Sequence, residues 1–348
     1  AGSTLVSTYA FDMEAVSRDA MVFDVQHEEG HTIGHDGAEK QVRTMQRFRQ
    51  ESAARVPGSG KNWMSAIASR RLMSSLTIPG THDSAAYTRA WPFVQTQVMN
   101  IEAQLLAGIR YFDLRCGILD DIPVMVHGLS YLGLTLQDVL DAMYNFLEQN
   151  ETEAIIVQIK QDRKSDAKST VHFSQAVTKC ISQNSARWRT ANNTPTLGAL
   201  RGKIQLFRRF TGPDLSNDAI DVARWRDNPE HPFTINTRND VHITVQDHYS
   251  FPDAVSLPEL ITRKGGDVSE LLVRANADPD PRHWYINFTS AYEFNLYYQV
   301  TPRQVALGSY WAFQWHDGVN PRLYTWLAGR KGRGRYGTCL LYTSLSGL

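Results

Sequence analysis

From Leu72 onward, short runs rich in β-branched and apolar residues alternate with longer amphipathic stretches, and this rhythm constrains the fold more than any other feature. Parallel neighbours need a long crossover, which a helix supplies, so repeated strand-helix units predict an α/β protein built on a parallel sheet. Strands are predicted over 75–78, 109–115, 124–127, 154–160, 203–210, 241–248, 284–290 and 336–342. Helices are predicted over 97–107, 135–150, 169–183, 257–275 and 301–307. The clearest is 135–150, where Thr135 can cap and Leu136, Val139, Leu140, Met143 and Leu147 form one apolar stripe. Eight strands with intervening helices suggest a closed barrel. The irregular stretch 211–240 argues against a regular one, and a doubly wound open sheet is the competing architecture.

The first 60 residues are polar and end in Pro57-Gly58-Ser59-Gly60, a flexible-linker composition. They read as an extension of unknown role (1–60) ahead of the folded unit (61–348). Within them, His27-Glu28-Glu29-Gly30-His31 matches the H-E-x-x-H pattern of zinc proteases, with His35 beyond. Gly30 and Gly34 weaken the helix that pattern needs, and only 26 residues precede it, so a solvated segment is the preferred reading, with metal binding by His27, His31 and His35, a zinc-binding protein, as the alternative.

Lys plus Arg (36) balances Asp plus Glu (36), so no global field would recruit nucleic acid or an acidic bilayer. No apolar run approaches the roughly 20 residues that span a bilayer, and no charged-then-apolar leader opens the chain, although a removed signal peptide would leave no trace. Cys116, Cys180 and Cys339 lie far apart, which leaves one bridge plus a free thiol open and implies no zinc cage. The compartment is open, with secretion or a peripheral membrane location favoured, and a monomer is expected.

The informative residues terminate the strands: His82 and Asp83, Asp113 and Arg115, His127, Lys160 and Asp162, Arg208 and Arg209, then Asp247 and Tyr249. In a parallel barrel those ends converge on the rim that carries chemistry. Any one of them alone would be an ordinary solvated strand end. Asp113 and Arg115 are two apart, so a strand points both the same way, with Tyr111 beneath. Two histidines, an arginine and no obvious metal cluster suit phosphodiester chemistry. One imidazole removes a proton from an attacking hydroxyl, a second delivers one to the leaving oxygen, and Arg115 offers a planar fork to the phosphate. Asp83 and Asp113 would hold Arg115 or an imidazole in position.

SLTIPGTHDSAAY, GIRYFDLRCG, VMVHG and EAIIVQIKQD stand in the order and spacing of one family, and GKIQLFRRF, VHITVQDHY and WYINFTS follow suit. Over residues 62–290 the chain resembles the X-type catalytic domain of phosphatidylinositol-specific phospholipase C, most of all its bacterial and fungal single-domain members. The resemblance implies a distorted (β/α)8 TIM-type barrel that cleaves the glycerol-phosphate bond of phosphatidylinositol. The inositol 2-hydroxyl attacks its own phosphorus, giving diacylglycerol and a cyclic inositol phosphate. It implies His82 as general base, His127 as general acid paired with Asp83, and Arg115 as stabiliser of the phosphorane-like state. Lys160, Asp162, Arg209, Asp247 and Tyr249 match positions that line the inositol pocket.

Calcium-dependent relatives carry carboxylates where Asp113-Leu114-Arg115 places a guanidinium, and a fixed positive charge makes Ca²⁺ redundant, so no metal or other cofactor is expected. One departure stands out. In metal-independent bacterial relatives an aspartate near the end of the last strand orients the base histidine, whereas Tyr342 stands here and no acid follows. Asp317 is the nearest acid in sequence. The departure keeps open a binding protein for inositol phosphates or phospholipids with lost catalysis; a related phosphodiesterase acting on another phospholipid or a glycosyl-phosphatidylinositol anchor is a third reading. A lipid substrate requires peripheral membrane contact, for which Trp91, Trp311, Trp315 and Trp326 are candidates, core packing being the alternative for each.

Overall fold

The computed structural model describes residues 60–88, 94–163, 168–213, 215, 219–294, 299–330 and 334–341. The His27–His31 motif, Trp91 and Tyr342 lie outside them. Apolar runs form β1 (Ile78–Thr81), β2 (Tyr111–Leu119), β3 (Ile122–His127), β4 (Ser130–Thr135), β5 (Ile155–Gln161), β6 (Trp188–Arg189), β7 (Ile204–Arg209), β8 (Ile220–Asp221), β9 (Phe233–Asn236), β10 (His242–Gln246) and β11 (Trp284–Phe288). Two small hairpins follow, β12 (Glu293–Phe294) with β13 (Gln299–Val300) and β14 (Gly308–Trp311) with β15 (Gln314–Asp317), and then β16 (Thr338–Leu341).

The sheet order is β6-β7-β5-β2-β1-β16-β11-β10-β9, and every neighbouring pair from β6 to β10 is parallel. Helices α1 (Ile101–Ala107), α2 (Leu136–Gln149), α3 (Phe173–Ser182), α4 (Leu197–Leu200), α5 (Leu257–Ala277), α6 (Pro302–Leu307) and α7 (Val319–Ala328) connect the strands. With helices outside and packed side chains inside, the strands are buried on both faces, which is why Ile155 to Ile159 reads as continuous apolar sequence. This is the distorted TIM-type barrel expected. The distortion is plain: antiparallel β9 edges one end of the sheet, β6 and β8 the other, and among the described residues these edges do not pair.

Two expectations change. Residues 124–127 are not a barrel strand: β3 runs antiparallel to β2, with Cys116 opposite Met125 and Leu119 opposite Ile122. β2 overshoots the rim, turns at Asp120 and Asp121, and β3 brings His127 back down. Residues 75–78 are also misplaced, because Met73–Ser75 is a 3₁₀ turn and β1 starts at Ile78. Pro79-Gly80 is therefore inside the strand. Pro79 needs no donor there, its carbonyl accepting from Arg110 N at 3.0 Å, and a Cβ at Gly80 would stand 3.0 Å from Tyr111 and 3.2 Å from Leu340.

Four of the five predicted helices are shorter than expected, α5 runs two residues further to Ala277, and α4 and α7 were not predicted. Thr135 and Asp138 form a reciprocal cap on α2, and Asn100 accepts from Ala103 N at 2.8 Å, starting α1 late. All three cysteines are free and buried, so the possible bridge is absent.

Candidate active site

Register alone puts three cations abreast: Arg115 lies beside Lys160 on β5, and Lys160 beside Arg209 on β7. Two residues below, Asp113 lies beside Gln158. Gln158 Nε2 donates to Asp113 Oδ1 at 3.0 Å and its Oε1 accepts from Tyr111 OH at 2.9 Å, so a chain of buried groups fixes the Asp113 carboxylate.

β1 delivers the next pair. His82 N donates to Leu341 O at 3.1 Å, continuing the pairing with β16 past the strand end, and Gln97 Nε2 donates to His82 O at 2.7 Å. Asp83 then turns with φ of 44°, a left-handed conformation that aspartate tolerates better than most residues. Ser84 N donates to Asp113 O, and Ser84 Oγ accepts from Asp113 N, both at 2.9 Å, which stitches the turn to β2.

The predicted catalytic groups meet here. His82 Nδ1 lies 3.0 Å from Asp113 Oδ2, and its Nε2 lies 3.3 Å from Asp83 Oδ2. His127 Nε2 reaches the same Asp83 oxygen at 3.2 Å, while its Nδ1 lies 2.7 Å from the Val94 carbonyl. Arg115 Nε stands 2.6 Å from Asp83 Oδ1 and 3.4 Å from Asp113 Oδ2. All five predicted catalytic residues are thus brought together, with two imidazoles and a guanidinium around one buried carboxylate. His82 also meets the edge of Phe288, ring centroids 5.5 Å apart.

Electrostatics fit this packing. Burial would raise the Asp113 carboxyl, but Arg115 and the hydrogen bond to His82 hold it well below the ordinary range. Burial opposes the charge on Arg115 as well, and the carboxylates of Asp83, Asp113, Asp162 and Asp247 more than restore it. One ligand atom each from His82, Asp83 and Asp113 falls within 4.8 Å of the others, a grouping that resembles a metal site. The guanidinium against both carboxylates occupies the electrostatic role a calcium ion would fill, and Ca²⁺ prefers six to eight oxygens, so the donor set does not suit it.

The five predicted pocket residues flank this centre in two groups. Lys160 pairs with Asp162, whose carboxyl burial would raise but Arg115 and Lys160 hold low. Arg209, its proton affinity reduced by burial and by Arg115, lies over the Trp225 ring at 4.3 Å from the centroid, with a buried Nη1 that has no hydrogen-bond partner. Asp247 accepts from Trp225 Nε1 at 2.8 Å. Tyr249 donates to Asp227 at 2.8 Å and stacks on Tyr292, centroids 5.8 Å apart.

Gln158, Trp225, Asp227 and the Val94 carbonyl were missed by sequence reasoning. Gln158 sits inside an apolar strand, and Trp225 and Asp227 lie in the irregular 211–240 stretch, where no periodicity signals a pocket. Asp317 does not take the place of the missing last-strand acid: it lies on the β14–β15 hairpin and accepts from Trp315. Asp113 contacts the His82 Nδ1 instead. Among the tryptophan candidates, Trp326 packs edge-on against Tyr336 beneath Arg330, and Trp311 is partly buried against the core.

Comparison with known proteins agrees. The family model for the X domain of phosphatidylinositol-specific phospholipase C matches residues 76–210. A 1-phosphatidylinositol phosphodiesterase of Staphylococcus aureus strain Newman is 30% identical over 244 residues, covering 67% of this chain and 75% of that protein. The chain belongs to the X-domain family of phosphatidylinositol-specific phospholipases C. A 1-phosphatidylinositol phosphodiesterase of Listeria monocytogenes is 36% identical over 155 residues, 42% of this chain and 48% of that protein. A solved phosphatidylinositol-specific phospholipase C structure from Staphylococcus aureus superposes with a TM-score of 0.70 and 26% identity, covering 82% of this chain and 91% of that one. The Listeria monocytogenes enzyme of the same family gives 0.58 and 25%, covering 82% and 94%. The family match spans His82, Asp83, Asp113, Arg115, His127, Lys160, Asp162 and Arg209; Asp247 and Tyr249 lie beyond it.

Proposed function

We propose that this chain cleaves phosphatidylinositol as a phospholipase C, releasing diacylglycerol and a cyclic inositol phosphate without a metal ion. The observation that carries the reading is the single Asp83 oxygen within 3.3 Å of His82 Nε2 and 3.2 Å of His127 Nε2, with Arg115 on the other oxygen.

His82 serves as the base because the Asp113 carboxylate on its Nδ1 side stabilises the imidazolium that forms when Nε2 takes a proton. His127, with Nδ1 on the Val94 carbonyl and Nε2 on Asp83, is the acid. The inositol 2-hydroxyl gives its proton to His82 Nε2 as its oxygen bonds to phosphorus. The bond from phosphorus to the glycerol oxygen breaks, and His127 Nε2 protonates that oxygen. Arg115 carries the charge that builds on the non-bridging oxygens. Lys160 with Asp162, Arg209, Asp247, and Tyr249 with Asp227 take the ring hydroxyls, the unsatisfied Arg209 Nη1 among the donors.

Among the described residues no helix is long and apolar enough to cross a bilayer. Leu129, 88% exposed two residues past His127, stands at the rim where acyl chains would leave. The alternative, motivated by Tyr342 standing where relatives carry an acid, is a binding protein without turnover; the Asp113 carboxylate 3.0 Å from His82 Nδ1 supports the catalytic reading instead.

The test is incubation with phosphatidylinositol vesicles in excess EGTA, following cyclic inositol phosphate by phosphorus NMR. Turnover at full rate is expected under chelator, with His82→Ala and His127→Ala each losing roughly 10² to 10⁴ in rate. A strict calcium requirement would sink the metal-free mechanism, and silence from the unmodified protein would favour the binding reading.

A further inference from the structure

Lys264, on α5 behind the sheet, is fully buried and has no part in the mechanism above. Its ammonium donates to Gln246 Oε1 at 2.7 Å and to the His248 carbonyl at 2.6 Å. Both acceptors are neutral, an expensive setting for a cation, and burial pushes the group down to about 8 despite Asp247 and Asp267 nearby. An apolar side chain would fill such a position more cheaply, so its charge and donors serve something.

What they serve is adjacent. Gln246 and His248 flank Asp247 on β10 and the turn after it. Gln246 Oε1 also accepts from His248 N at 2.9 Å, and Gln246 Nε2 donates to Asn287 Oδ1 at 2.8 Å and to Phe288 O at 2.9 Å. Asn287 Nδ2 returns to α5 through Val268 O at 2.9 Å, and His248 Nδ1 lies 2.9 Å from Asp267 on the same helix. Because side chains alternate along a strand, Asp247 points the other way, to Trp225 and the pocket. Burial raises the Asp247 carboxyl, and Arg209, Trp225 and Lys264 oppose that rise, Lys264 from behind the strand.

We propose that Lys264 is a positioning residue for substrate binding: it holds the Gln246 side chain and the His248 carbonyl on either side of Asp247 and supplies, from behind, the positive charge that keeps that carboxylate presented to the headgroup hydroxyls. This rests on Asp247 being a headgroup ligand, as proposed above.

A double-mutant cycle tests it, using Lys264→Met, Asp247→Asn and the pair together. Melting curves would check folding, kcat and KM on phosphatidylinositol would be measured, and myo-inositol would be titrated by NMR. Lys264→Met is expected to raise KM and the myo-inositol Kd about tenfold with kcat within about threefold, and to add nothing once Asp247 is Asn. Additive losses in the double variant, a fall in kcat at constant KM, or unchanged binding would overturn the proposal. Should Lys264→Met fail to fold, Lys264→Gln, which keeps a donor and drops the charge, runs the same cycle. Absence of turnover by the unmodified protein would count against the proposed function alone, since the myo-inositol cycle reads Lys264 independently.

Discussion

Asp113 concentrates more of the site's logic than any other residue. One oxygen faces His82 and Arg115; the other is held by Gln158, itself held by Tyr111. The identity of Asp113 and its direction along β2 were legible from the D-x-R spacing, because alternation on a strand is a local rule. That Asp113 would hold Arg115 or an imidazole was also expected, but which imidazole it meets, that of His82 31 residues away, depends on how far β1 extends past Pro79-Gly80. Replacing Gln158 by Leu would leave Asp113 Oδ1 buried without its donor and the carboxylate free to rotate away from His82. We expect kcat to fall about tenfold with little change in KM. The Nδ1–H resonance of His82, read by ¹⁵N NMR, should broaden or vanish in the same variant; kcat and spectrum both unchanged would show that Gln158 does no positioning.

At the scale of elements, the parallel strands were readable because burial on both faces makes them continuous apolar runs, whereas β3 has the same look and a different place. Four residues ending in a histidine carry no record of direction, and the antiparallel return of β3 is decided by the turn at Asp120 and Asp121, both with positive φ. Asp121 also accepts from the backbone N of Thr170 at 2.6 Å and of Val171 at 3.0 Å, which ties the hairpin tip to the segment before α3 and shortens that helix. In α5, Gly265 and Gly266 interrupt a 21-residue helix, and a Cβ at either would meet nothing within 4 Å. Gly266→Ala should therefore stabilise the protein by about 1 kcal/mol, seen as a higher midpoint in urea. A lower midpoint would show that the position needs glycine for a reason other than space.

For the molecule as a whole, the end of the barrel opposite the site is sealed by charge as well as apolar packing. Arg110 and Glu153, both fully buried, pair at 2.8 Å; Glu153 accepts from Met64 N at 3.1 Å, and Arg110 donates to Lys61 O at 2.7 Å. This pair docks the Gly60–Ala66 turn under the barrel. Removing one partner strands the other, so Glu153→Ala should cost about 3 to 5 kcal/mol, measured by chemical denaturation. A cost below about 1 kcal/mol would mean that water reaches Arg110 in the folded protein.

What the sequence determined unaided was the alternation of strands and helices and the ionisable residues at the strand ends, because both are written in short-range periodicity. The tertiary structure alone decided that the barrel edges do not pair among the described residues, that His127 arrives on an antiparallel return, that Asp113 meets His82 Nδ1, and that Trp225 and Lys264 flank Asp247 from two sides. Each of these is a contact between residues far apart in the chain. Such contacts are selected by how whole strands pair and pack, a choice no window of neighbouring residues encodes.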